Sequence, residues 1–246
     1  MATVLNRRDR VRAATVTEIK DTARRILVAE GADGLSLRAI AREMGMTAPA
    51  LYRYFPSREE LVGALIADLY DELTATLITA ATAAGGAADT AGGGDPRAGI
   101  TAASWEFRSW ALAHPREFGL LFGSPIPGID AHSDDSQAGL ASERFGQVFA
   151  DLVARIYLAD PFPVPADDEM DPQLRRQLRD WCSALPVELP IGAAQVFLSC
   201  WIRLYGMVAM EVFGHLRFAL PDAKPMFEAE LGDLAVKLGF GRPNAS

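Results

Sequence analysis

From residue 15 to residue 238 the apolar side chains recur every three or four positions, and no stretch alternates apolar with polar as a half-buried strand would. Each such stretch has one apolar stripe to bury, so helices must pack on helices. Val16, Ile19, Ala23, Ile26 and Leu27 form the first stripe. Thr15 and Glu18 before it have capping-box spacing, and Gly31 and Gly34 after it are breaks. Ser36 stands where it would cap a second helix bearing Leu37, Ile40, Ala41 and Met44, which Gly45 closes. Thr47 stands likewise before a third, very short helix over 48–55, stopped by Pro56. Ser57 and Glu60 then open a long helix over about 58–81. Residues 83–99 are rich in Ala and Gly and read as a flexible connector. Asp95-Pro96 opens a helix running to His114, and Pro115 opens another ending at Gly123. A loop over 124–136 follows, then helices over 140–159, 171–183, 191–216 and 221–238. The expectation is an all-α chain of nine or ten helices.

The 246 residues are 50% hydrophobic, enough for one large domain or two modest ones. The net charge of −8 would argue against nucleic acid if it were evenly spread. It is not: residues 1–60 hold 11 Lys and Arg against 8 Asp and Glu, and the other 186 hold 13 against 24. A small basic module on an acidic body can approach phosphate with one end. No run approaches the roughly 18–20 apolar residues of a membrane span. The Arg-rich start (Arg7, Arg8, Arg10, Arg12) has no apolar stretch after it, so neither a secretory signal nor a membrane partner is expected. Cys182 and Cys200 cannot build a disulfide scaffold and read as reduced core residues of a cytoplasmic protein.

The second and third helices, joined through Gly45, have the spacing of a helix-turn-helix, although an ordinary helical hairpin has it too. The residues settle more than the spacing. Ser36-Leu37-Arg38-Ala39-Ile40-Ala41, then Gly45, then Leu51-Tyr52-Arg53-Tyr54-Phe55, Ser57-Arg58 and Glu60-Leu61 resemble the DNA-binding signature of the TetR family of transcriptional regulators. The resemblance covers about residues 10–70. Tyr54 stands where the family often has His, and Arg58 where it often has Lys. Leu37, Ile40, Ala41, Leu51 and Phe55 are the expected core of this head. Ser36, Arg38, Arg42, Thr47, Ala48, Pro49, Ala50, Tyr52, Arg53, Tyr54 and Arg58 are the expected outward, DNA-binding set. Tyr52 and Tyr54 have hydroxyls for phosphate, and Arg38 and Arg58 have charge. The first amides of the third helix present the positive end of its dipole to the backbone. Thr47, Pro49 and Ala50 are short enough to let a helix sit deep in the major groove. Arg53 either reads guanine or is solvated. The Arg7–Arg12 arm is either a solvated tail or a backbone or minor-groove contact.

Residues 1–60 are thus expected to form the three-helix DNA-binding domain with its arm, joined by the long helix to a larger all-helical domain over 61–246. The resemblance implies that this larger part binds a small molecule and forms the dimer. Trp110-Ala111-Leu112-Ala113-His114-Pro115 and the residues after it, as far as Gly128, also resemble one C-terminal type in the family. Its aromatic residues either fill the core or line a cavity. The candidates for a small apolar or amphipathic effector are Trp105, Leu112, Phe122, Phe145, Phe149 and Trp201, with Arg108 or Tyr205 to orient it, Arg108 being paired with a surface acid as the alternative. Residues 191–216 are apolar nearly all round. Val196, Cys200, Met207 and Met210, with Leu231, Leu234 and Leu238 of the last helix, are therefore expected in a four-helix homodimer interface, burial inside one subunit being the alternative.

Enzymatic chemistry finds little support. His114, His132 and His215 lack zinc spacing, and there is no CxxC, GxSxG, GxxxxGK[ST] or strand-borne GxGxxG. No catalytic residue, metal or cofactor is expected. The sequence reads as a DNA-binding regulator, a repressor released from a palindromic operator in double-stranded DNA by its effector. The alternatives are a helical enzyme or a ligand-binding scaffold without a DNA role.

Overall fold

The protein is seen in a computed structural model that describes residues 6–85, 94–125, 136–184 and 189–240. These residues form ten α-helices: α1 (Arg7–Glu30), α2 (Leu37–Glu43), α3 (Ala48–Tyr52), α4 (Arg58–Gly85), α5 (Pro96–Ala113), α6 (Pro115–Phe122), α7 (Gln137–Ala159), α8 (Pro172–Ala184), α9 (Ile191–Val212) and α10 (Lys224–Lys237). No strand occurs among them. Of the expected connector, 83–85 extend α4 and 86–93 lie outside the described residues, as do 126–135 of the expected loop.

Most helix ends follow the local chemistry. The Ser36 hydroxyl accepts from the Ala39 amide at 3.1 Å, and the Ser57 hydroxyl from the Glu60 amide at 3.1 Å. Gly45 takes φ +64°, where a side chain is strained. There the Gly45 amide donates to the Arg42 carbonyl and the Met46 amide to the Ala41 carbonyl, which terminates α2 in two bonds. The largest correction is at the start of α1. α1 opens at Arg7, not near Thr15: Asn6 accepts from the Asp9 amide at 3.0 Å, and the Thr15 hydroxyl donates back to the Val11 carbonyl in mid-helix. Arg7, Arg8, Arg10 and Arg12 therefore lie on a helix, all exposed. The first turns carry no stripe because they have nothing to bury, and even Val11 is exposed.

The chain gathers into two compact units, Met1–Glu72 with His114–Glu143, and Leu73–Ala113 with Arg144–Ser246. In the first, Ile19, Ile40, Leu51, Leu65 and Phe118 are buried. α6 packs on α1, and the Tyr70 hydroxyl donates to the Leu121 carbonyl at 3.2 Å. Arg24 of α1 joins three helices. It grips Glu72 of α4 with two bonds of 2.6 and 3.1 Å and Glu117 of α6 with a third of 3.1 Å. Glu117 is buried, and the bond to Glu72 above all holds the Arg24 pKa above its usual value. Arg58 binds within its own unit, donating to the carbonyls of Leu35 at 2.8 Å and Ala32 at 3.0 Å.

In the second unit α9 is the spine, with α5, α8 and α10 packed on it. Phe107, Phe145, Phe149 and Trp201 form a cluster with ring centres 5.6–6.4 Å apart. α9 corrects one expectation: with 22 residues and a window of mean hydropathy 1.3 it is long and apolar enough to cross a membrane. Half of that window is buried against its own unit, as in a core helix.

Arg24→Ala strands the buried Glu117 carboxylate and should lower unfolding free energy by about 2–3 kcal/mol in urea titrations. Arg25→Ala removes only the exposed Arg25–Glu43 pair and should cost less than about 1 kcal/mol. Arg58→Lys keeps the charge but cannot fork to two carbonyls. It should cost about 1–2 kcal/mol in the same assay.

Candidate DNA-reading head and ligand cavity

α2 and α3 pack together, with Leu37, Ile40, Ala41, Leu51 and Phe55 buried beneath them. What this core turns outward is the head's surface. Ser36, Arg38, Arg42, Thr47, Pro49, Tyr52 and Arg53 are exposed, while Ala48, Ala50 and Tyr54 are half-buried. Tyr52 is 45% exposed, so its hydroxyl is open to a partner. The Thr47 side chain makes no capping bond, although its backbone has the extended conformation of a cap. α3 is five residues long rather than the eight expected, and Pro49 removes one of its first N–H groups, so little dipole or amide contribution comes from its start.

Two members of the expected set have other tasks. Arg58, expected at phosphate, is half-buried and spends its guanidinium on the Leu35 and Ala32 carbonyls. Tyr54 lies under the guanidinium of Arg12, 5.1 Å from the ring centre. Arg12 also reaches the Arg53 carbonyl, at 3.4 Å. No local signal marks this tie between α1 and the end of α3, because Arg12 and Tyr54 lie far apart along the chain.

The expected effector residues scatter. Phe149 and Trp201 line a partly open cavity in the second unit. Phe145 belongs to the ring cluster, and Tyr205 stacks on Trp201 at 6.0 Å. Trp105 packs edge-on against Phe227 at 5.0 Å, Leu112 is exposed, and Phe122 belongs to the first unit, beside Phe118 and Tyr70. Arg108 is corrected as an orienting group. Its guanidinium is nearly buried and holds Glu211 in two bonds of 2.7 and 2.6 Å, facing the rings of Phe227 and Trp105. The cavity wall comes instead from Ile100, Thr101 and Ser104 of α5, Val153 of α7, Phe197, Cys200 and Leu204 of α9, Leu231, Leu234 and Ala235 of α10, and Leu238 and Phe240 just after it. These positions follow the helical repeat, which is also the repeat of a core, so their pattern could not tell wall from packing.

Of the expected dimer residues, Val196, Cys200, Leu234 and Leu238 are buried within a single chain, because α10 covers that side of α9. Met207 and Leu231 are half-buried, and Met210 is 42% exposed. The large apolar residues left in the open on these two helices include Ile202 and Val236, 67% and 68% exposed.

Residues 19–65 match the family model of bacterial regulatory proteins of the tetR family, and residues 100–234 match the tetracyclin repressor-like C-terminal domain. The HTH-type transcriptional regulators Rv1816 of Mycobacterium tuberculosis and Mb1846 of Mycobacterium bovis are each 33% identical over 238 residues, 91% of this chain and 92% of theirs. The crystal structure of SCO4313, a protein assigned a regulatory role, superposes with TM-score 0.71 at 33% identity, covering 93% of this chain and 98% of that one. RolR, solved with its ligand resorcinol, shares the fold at TM-score 0.53 and 15% identity, covering 97% of this chain and all of its own. The outward-facing helix-turn-helix and these matches agree: the chain belongs to the TetR family, a DNA-binding transcriptional regulator and not an enzyme.

Proposed function

We propose that the protein is a cytoplasmic, homodimeric repressor that leaves a palindromic operator when a small molecule binds its C-terminal part. The observation that carries this reading is the head's surface. Short Thr47 and Pro49 stand exposed at the start of α3, with Tyr52, Arg53 and Arg38 exposed around them. That set suits a helix lowered into a major groove, with hydroxyl and guanidinium groups left for the phosphates. Residues 1–60 do the reading, and 61–246 take the effector and the second subunit. α4 has residues in both compact units, which makes it the lever. Its release of DNA requires the effector to prefer the released state.

The dimer forms through the outer faces of α9 and α10, where Ile202, Met210 and Val236 would leave water. Two heads related by twofold symmetry and about 34–36 Å apart meet successive major grooves. RolR, with a small phenolic ligand, is one example of the fold carrying an effector.

Selection of bound duplexes from a random pool should return a palindrome, and a consensus without twofold symmetry would overturn the dimeric reading. Tyr52→Phe should weaken binding about fivefold on every sequence, the worth of one hydroxyl bond, whereas Thr47 or Pro49 replacements should change the preferred bases. Sedimentation at micromolar protein should give a dimer. Ile202→Glu with Val236→Glu should give a folded monomer that has lost most operator affinity.

A further inference from the structure

The cavity between α5, α7, α9 and α10 is built for a narrow class of molecule. None of its lining side chains carries a charge. The two hydroxyls in its wall are already committed as donors: Thr101 to the Arg97 carbonyl at 2.9 Å and Ser104 to the Ile100 carbonyl at 2.8 Å. Each oxygen still has lone pairs to accept with. The Cys200 thiol is kept neutral by burial, which outweighs the pull of Lys237 and Arg203 in the other direction. Those two cations do not line the wall. Arg203 is held by Glu230 and Asp233, and Lys237 donates to Ser199 outside it. Arg108 is neutralised by Glu211. The rest of the wall is rings and aliphatic chains, with Phe149, Phe197 and Trp201 on one side and Leu234 and Leu238 on another.

We propose that this cavity binds neutral, flat or compact hydrophobic molecules, and that it rejects carboxylates and other anions. A carboxylate placed there would give up its water for a wall with no cation, where both hydroxyls are spent and only the Trp201 indole N–H and the weak Cys200 thiol are left to donate. A hydroxyl or amine on an apolar ring would lose less, because the Ser104 or Thr101 oxygen can accept its proton. Water is a poor occupant for the same reason, since so apolar a space offers it too few partners. The inference rests on the regulator reading only in calling such a molecule an effector; the binding itself does not depend on DNA.

Three probes on one ring system test it: naphthalene, naphthol and naphthoate, by equilibrium dialysis against the full chain. Naphthalene and naphthol should bind at least about tenfold more tightly than naphthoate. Ala235→Phe, which fills the cavity from α10, should abolish binding of both while the helical circular dichroism is retained. Naphthoate binding as tightly as naphthalene, no binding by any probe, or undiminished binding by folded Ala235→Phe would each overturn the proposal. If that variant does not fold, the comparison among the three probes on the parent chain decides the matter alone. The duplex selection, run without probes, separates this outcome from the wider reading. A palindrome with no naphthalene binding keeps the regulator and discards the cavity. Naphthalene binding with no selected duplex does the reverse.

Discussion

What the reading head offers to DNA depends on two buried side chains. α3 is a helix of five residues, too short to hold its shape or direction alone. It is a helix because Leu51 and Phe55 are buried under it against α2, each contributing on the order of 2 kcal/mol. It starts where it does because Gly45 turns the chain through a positive φ. Thr47, Pro49 and Tyr52 thus have a direction fixed by packing behind them and not by anything they touch. The arginines around them refine the same frame. Arg12 is laid on Tyr54, and Arg58 is tied to the loop before α2.

Local signals were reliable wherever a helix end is chemically marked. Ser36, Gly45, Ser57 and Pro115 each stand where a helix starts or stops, since a cap or a φ restriction acts over only a few residues. The start of α1 was illegible for a matching reason. Its first two turns are exposed all round, so they carry no apolar stripe, and Thr15 with Glu18 only imitates a cap. α9 is legible as a long apolar helix, but its few polar residues break every apolar run, so a criterion of uninterrupted runs misses that its length and hydropathy reach those of a membrane span.

The sites divide in the same way. The head was legible because its core and its surface differ in residue type. The cavity was not, because a wall residue such as Leu204 and a packed one such as Leu178 have the same chemistry and the same spacing. A cation's partner is illegible where it lies far along the chain. Nothing near Arg108 announces Glu211, and nothing near Arg58 announces the Ala32 carbonyl.

The grip of Arg24 on Glu72 and Glu117 has a bearing on how α6 can move against α1. A helix held only by side-chain packing can creep by fractions of an ångström, each with a small rise in energy. α6 carries an acid that is buried and is held by a charge belonging to another helix. Arg24 already meets water but Glu117 does not, so a partial slide would weaken the pair before water could replace it around the carboxylate. The α1–α6 contact is therefore stiffer against small displacements than apolar packing alone would make it.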